Sequence, residues 1–273
     1  MRPDTLSKET VQSSLPDELI RWEVEYVPET TSTQDYAAKR FRKEGRGGLF
    51  VITNHQTSGR GREKREWKDV PGSSLMFSLT LHPGHAPSNL HLLTITAALA
   101  VCNGLRSLLD IEPEVKWPND VLINGKKVCG ILSEMIDSES GEKGIIMGIG
   151  INVNQKKEDL PETNNAPAGS VRMIVGKPVQ RLLLLSSIMK SFEDLYFLYQ
   201  KGDHEEIIRL WKNNSSMLGR HVSLRTGDRE VHGTVTGLED SGAIVLRLDT
   251  GPTRSFLGSE CRFLDKGQGG QTL

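Results

Sequence analysis

Between Glu114 and Ile151 the chain reads as four extended segments in quick succession, at 114–117, 120–123, 127–132 and 143–151. A parallel pair of strands needs a crossover of a dozen or more residues, whereas these segments are joined by single turns. Asn124-Gly125 is a two-residue hairpin signal, because both residue types accept the positive φ of a type I′ turn, and a second polar turn spans 137–141. The spacing therefore predicts a mostly antiparallel meander at the centre of the fold.

The flanking sequence supplies its partners. Residues 22–27 alternate apolar and polar with period two, and 48–53 and 73–81 read as buried strands. Ser32 is placed to cap a helix that carries Tyr36, Ala37, Arg40 and Phe41 and stops at Gly45. Leu92, Ile95, Leu99, Cys102 and Leu105 mark an amphipathic helix over 88–109, and further helices are predicted over 179–201 and 205–211. After Asn213-Asn214 the pattern changes to short strands at 221–225, 231–238, 243–248 and 255–257, which predicts a small β-barrel. The expected organisation is an N-terminal arm or short docking helix (1–20), a main α/β domain (21–213), a small C-terminal β domain (214–266) and a tail (267–273). A chain of 273 residues is long enough for that division.

Charge and composition narrow the function. Lys and Arg number 34 against 35 Asp and Glu, a net charge of -1, so bulk electrostatic attraction to nucleic acid is excluded and any polyanion contact must be local. No membrane-spanning segment is expected, and the polar first ten residues lack the apolar core of a secretion signal, which points to the cytoplasm. Cys102, Cys129 and Cys261 are widely spaced and form no Cys-x-x-Cys pair; they are expected to be reduced core residues and not metal ligands.

Four local patterns carry chemistry. The polar loop of about 19 residues after Thr53 contains Gly59-Arg60-Gly61-Arg62, with Lys64, Arg65 and Lys68 nearby. Glycines beside arginines allow close backbone approach, and guanidinium forks suit phosphate or carboxylate; a solvated basic loop would look the same. Lys116-Trp117-Pro118-Asn119-Asp120, followed by Lys127 across the hairpin turn, mixes charge, aromatic and amide groups in a way core packing does not require. Thr30 to Gln34 sets hydroxyls at a helix start, where they serve as a cap or receive a polar ligand. Gly148-Ile149-Gly150 places two glycines inside a strand ahead of Asn152 and Asn154; with no helix opening after it, this is not a dinucleotide fingerprint.

In this order, Ser32-Thr33-Gln34, the Gln56 to Arg62 segment with Trp67, Lys116 to Asp120, the Gly125 to Leu132 segment and Gly148 to Asn154 closely resemble the biotin protein ligase family, over nearly everything from residue 21 to 265. The resemblance implies a class II aminoacyl-tRNA synthetase-like catalytic domain with a mostly antiparallel sheet, followed by an SH3-like barrel. It implies a ligase that uses ATP and Mg²⁺ to convert biotin to biotinyl-5′-AMP, then passes the biotinyl group to a lysine of a biotin carboxyl carrier domain. A lipoate or octanoate transferase of the same superfamily is the alternative, followed by a non-catalytic biotin-binding protein.

By position in these motifs, Ser32, Thr33 and Gln56 would bind the ureido end of biotin, with Gln34, Arg60, Gly61, Arg62, Lys127 and Gly130 also in the biotin site. Arg60, Arg62, Trp67, Asn119, Lys127 and Asn152 would contact the nucleotide. Lys127, Arg60, Asp120 and Lys116 would be catalytic, Asp120 positioning or deprotonating the incoming lysine. The basic loop is expected to close over bound ligand. Glu63 and Lys64 stand where many relatives have basic residues or glycine. Only about 20 residues precede the first strand, leaving no room for the DNA-binding domain that some relatives carry, so no DNA partner is expected; monomer and homodimer are both open.

Overall fold

The computed structural model describes residues 4–82, 89–162, 166–227 and 229–264. The main unit contains α1 (Lys8–Gln12), β1 (Glu23–Thr30), α2 (Thr33–Glu44), β2 (Leu49–Gln56), β3 (Gly59–Arg60), β4 (Glu66–Trp67), β5 (Ser74–Leu81), α3 (Leu90–Leu108), β6 (Pro113–Lys116), β7 (Asp120–Ile123), β8 (Lys126–Asp137), β9 (Lys143–Asn152), α4 (Val171–Val175), α5 (Arg181–Lys201) and α6 (His204–Asn213). The smaller unit contains β10 (His221–Thr226), β11 (Arg229–Leu238), β12 (Ile244–Leu248), β13 (Thr253–Phe256) and β14 (Glu260–Phe263).

Seven strands form one sheet in the order β1-β2-β5-β9-β8-β7-β6, and only β1 and β2 run parallel. The meander expected from the short connections is the run β9-β8-β7-β6. Asn124 and Gly125 take φ of 51° and 72°, as the hairpin requires. Cross-strand pairs set Gly130 opposite Gly150 and Leu132 opposite Gly148. The alternation of β5, β8 and β9 therefore sends one row of residues to each face.

One face is covered by α3 and α5, which pack on each other over Phe77, Leu79, Ile131, Ile149 and Ile151. By length and hydropathy α3 could cross a membrane, a property the sequence reading passed over; most of it is buried in this core. On the opposite face lies α2, capped by Ser32 and ended by Gly45 at φ 65°. Its Phe41 packs so tightly on Gly144 that a Cβ there would come within 2.2 Å of the ring. Because α2 covers only part of this face, the rest of the sheet is left as the floor of a cleft.

The N-terminal segment is docked. Leu6 and Val11 are buried, and the Asp4 carboxylate receives Arg181 Nε at 2.8 Å. Residues 1–3, Ser88 and the tail 267–273 lie outside the described residues. The C-terminal β10 to β14 form an antiparallel sheet in the order β13-β12-β11-β10-β14, with β13 and β14 at its edges and unpaired with each other among the described residues. The sequence pattern missed β14 and α4, each too short to establish a period. The polar loop after Thr53 also differs from a structureless connection: β2 runs on to Gln56, and β3 and β4 pair as a small hairpin.

Candidate functional site

A cleft of about 220 Å³ lies above the uncovered part of the sheet, and every residue expected to bind ligand or act in catalysis lines it, whereas Gly59 and Asn154 of the same motifs do not. Its first end is neutral and polar. The N-terminus of α2 brings in Ser32, Thr33 and Gln34, each almost fully buried. Ser32 Oγ accepts from the Gln34 backbone N–H at 3.2 Å, so this hydroxyl serves as the cap. The Thr33 backbone N–H and Oγ1 both donate to Gln56 Oε1, at 2.8 and 3.1 Å, and Thr33 Oγ1 lies 2.8 Å from Ser78 Oγ. Gln34 Nε2 donates to Glu134 Oε2 at 2.8 Å.

The floor is built from glycine. A Cβ at Gly148 would lie 2.2 Å from Gln34 Oε1, and at Gly150 it would lie 2.7 Å from the Trp67 ring. At Gly130 the nearest atoms would be Trp67 Cζ3 at 3.0 Å and Lys127 Nζ at 3.3 Å. Side chains above the sheet thus approach the strands as closely as backbone permits. Trp67 rests on Gly130 and Gly150, with Lys127 Nζ 5.9 Å from its ring centroid. Its Nε1 is buried without a hydrogen-bond partner among the described residues.

The second end is cationic. Lys127 Nζ is 2.6 Å from Asp120 Oδ1, an ion pair across the β7–β8 hairpin whose geometry is not that of an aligned hydrogen bond. Arg60 stands between two carboxylates, with Nη2 2.6 Å from Glu134 Oε2 and Nε 3.2 Å from Asp35 Oδ1. Arg62 donates to Asn119 Oδ1 at 3.2 Å and to the Gly258 carbonyl at 2.6 Å, and burial lowers its pKa from the usual arginine value. Gly61 lets the chain pass close to Arg65, whose carbonyl oxygen would be 3.3 Å from a Cβ.

Lys116 is buried, its Nζ 5.4 Å from the Phe263 ring centroid, and burial pushes its pKa down against the pull of Asp120. Lys116 is thus a buried lysine on the edge strand β6. Asn152 reaches the cleft wall, yet its Nδ2 donates to the Gly169 carbonyl at 3.0 Å and its Oδ1 accepts from Gln155 Nε2 at 3.2 Å.

Four participants were not read from the sequence. Ser78 and Glu134 stand on the cleft side of the sheet and bond to the lining residues Thr33, Gln34 and Arg60, a placement that period-two counting from Met76 and from Gly130 could have supplied. Asp69, whose side chain is fully buried, accepts from the Gln56 backbone N–H at 3.4 Å and pairs with His55 Nδ1 at 3.2 Å. Glu260 comes from the other sheet, 3.2 Å from Arg65 and 2.8 Å from Arg225, which in turn lies 3.1 Å from Glu63. Burial alone would raise the Glu260 pKa, but the charges of Arg65, Arg262 and Arg225 hold it below the usual value. No sequence signal links these two segments.

Known proteins resemble this chain in sequence and in fold. Residues 26–152 match the Biotin/lipoate A/B protein ligase family, and residues 217–264 match the Biotin protein ligase C terminal domain. The Bifunctional ligase/repressor BirA of Bacillus subtilis is 33% identical over 250 residues, covering 92% of this chain and 77% of that protein. A Biotin--[acetyl-CoA-carboxylase] ligase of Paracoccus denitrificans is 33% identical over 204 residues, covering 74% and 85%. The structure of the biotin protein ligase from Aquifex aeolicus in complex with biotin and ATP superimposes with a TM-score of 0.76 at 29% identity, covering 89% of this chain and 99% of that one.

Fold and cleft thus define a ligase of the biotin/lipoate class. Within that class, the 33% identities over 92% and 74% of the chain and the matching C-terminal sheet place it plainly: the chain belongs to the biotin protein ligase family.

Proposed function

We propose that the chain activates biotin with ATP and transfers the biotinyl group to a lysine of a biotin carboxyl carrier domain. The observation that carries this reading is that one cleft brings together the Thr33–Gln56–Ser78 polar end, the glycine floor and the cations Lys127, Arg60 and Arg62. The polar end offers hydroxyl and amide groups to a urea-like head, which needs both donors and acceptors. The floor admits a flat or extended chain close to the strands. The buried Trp67 Nε1 is a donor that an acceptor atom of a ligand would satisfy.

In the first step a biotin carboxylate oxygen attacks the α-phosphorus of ATP; the new O–P bond forms as the bond to the leaving pyrophosphate breaks. Two anions about 4 Å apart repel by about 4 kcal/mol at an effective dielectric near 20, so cations at the meeting point are required. Lys127 and Arg62 sit on the wall that serves both parts, and Arg60 stands at its rim. Mg²⁺ would be held by the nucleotide phosphates and would offset their charge.

In the second step the acceptor amine attacks the acyl carbon and AMP leaves, the amine losing a proton. Asp120 is the carboxylate closest to Lys127 and would orient that amine, or take its proton, once Lys127 turns to the phosphate. Asn119 holds Arg62 and the Ile131 carbonyl and so fixes the wall. The β3–β4 hairpin would exclude water from the mixed anhydride. We also propose that residues 21–213 form the catalytic domain and that the C-terminal sheet, through Glu260 and the Gly258 carbonyl, supports its basic hairpin.

The test is to mix the chain with biotin, ATP, Mg²⁺ and a carrier domain, following pyrophosphate and the mass of the acceptor. Biotin-dependent pyrophosphate release with a biotinylated acceptor is expected. Release with octanoate or lipoate and none with biotin would overturn the assignment.

A further inference from the structure

Glu134 has no part in the roles above, yet it bonds to a lining residue at each end of the cleft. It lies on β8, two and four residues beyond Leu132 and Gly130, so strand alternation sends it to the same face. A single oxygen, Oε2, accepts from Gln34 Nε2 at 2.8 Å and from Arg60 Nη2 at 2.6 Å. Gln34 is buried and its Oε1 is pressed onto Gly148, so the amide has little freedom to turn and its Nε2 is directed at Glu134. Arg60 is more exposed, and Asp35 Oδ1 at 3.2 Å from Nε is its other acidic neighbour.

A half-exposed ion pair adds little to folding stability, so the value of the Glu134–Arg60 contact lies in orientation. We infer that Glu134 is a positioning residue of the ligase reaction, its Oε2 fixing the Gln34 amide at the neutral end and the Arg60 guanidinium at the cationic end in one mutual geometry. This rests on the proposed function for its kinetic consequence only. Removing the carboxylate frees a buried amide at one end and a mobile guanidinium at the other. Replacing it by an amide keeps an oxygen that can accept from both donors but removes the charge that strengthens the Arg60 bond.

Glu134→Ala and Glu134→Gln are compared with the unmodified chain in two assays. In the first, pyrophosphate release is measured while biotin and ATP are varied separately. Glu134→Ala should raise KM for biotin about tenfold with a smaller change in kcat, and Glu134→Gln should return it to within about threefold of the original. In the second, without substrates, trypsin cleavage after Arg60, Arg62 or Arg65 should be severalfold faster in both variants, with the thermal midpoint unchanged. Unaltered KM and unaltered cleavage in Glu134→Ala would overturn the inference, as would equal kinetic loss in both variants with a lowered midpoint. If the unmodified chain releases no pyrophosphate with biotin, the ligase reading fails, and the cleavage assay still decides whether Glu134 holds Arg60.

Discussion

The two ends of the cleft are built on different principles. At the neutral end, Thr33 and Ser78 are buried and Gln56 is half-buried; all three are joined through Thr33 and anchored on the start of α2 and on two central strands. At the cationic end, Arg60 and Lys127 are partly exposed and rest on carboxylates, Glu134 and Asp35 for one and Asp120 for the other. Groups of the first kind are set before any ligand arrives, and their cost of ordering is met in folding. Groups of the second kind rest on carboxylates that balance their charge: Asp120 can give up Lys127 to a phosphate or carboxylate, while Glu134 keeps Arg60 in place. The difference teaches that recognition of a neutral head requires a fixed pattern of donors and acceptors, whereas charge stabilisation requires cations that can be handed over.

This contrast can be broken at either end. The largest effect is expected at the cationic one: Lys127→Ala should lower kcat for biotin-dependent pyrophosphate release by about 10²- to 10³-fold, measured at saturating biotin and ATP. A loss confined to KM would show instead that Lys127 only binds. Next comes the floor. Gly148→Ala would drive a methyl to 2.2 Å from Gln34 Oε1, and a drop in biotin affinity of about tenfold or more should appear in calorimetric titration.

At the neutral end, Thr33→Val removes one hydroxyl and leaves Gln56 and Ser78 each short of a partner. KM for biotin should rise about 5- to 20-fold with kcat nearly unchanged, because the interaction is the same in ground and transition states. Equal loss in kcat would mean that this end also moves during the reaction.

The smallest effect concerns Asp69, which braces Gln56. Burial raises its carboxyl pKa above the ordinary value. Between that ordinary value and the raised one the folded chain holds a proton that the unfolded chain has lost, so this residue makes stability fall as pH rises through that window. Asp69→Asn should remove that part of the pH dependence of the thermal midpoint, a change of a few degrees at most. An unchanged pH profile would show that the Asp69 carboxyl titrates alike in the folded and unfolded chain.

Much of this was legible in order along the chain. The Asn124-Gly125 turn and the short connections fix the meander, Ser32 and Gly45 bound α2, and the glycines at 148 and 150 mark a strand that something approaches. For Ser78 and Glu134 the strand period gives only the face they occupy, and Asp69 and Glu260 carry no signal at all, because an acid in a loop or on another sheet has no distinctive neighbours in sequence.

The sequence by itself determined the longer elements, the antiparallel meander and the candidate cations, since capping, turn chemistry and strand period act over a few residues. Only the tertiary structure decided which face of the sheet α2 leaves open, that Glu134 lies between Gln34 and Arg60, that Lys116 is buried under Phe263, and that Arg65 and Arg225 share Glu260. Those contacts join residues from 35 to 195 positions apart. Their energies arise from burial and charge in the assembled cleft, which no local pattern encodes.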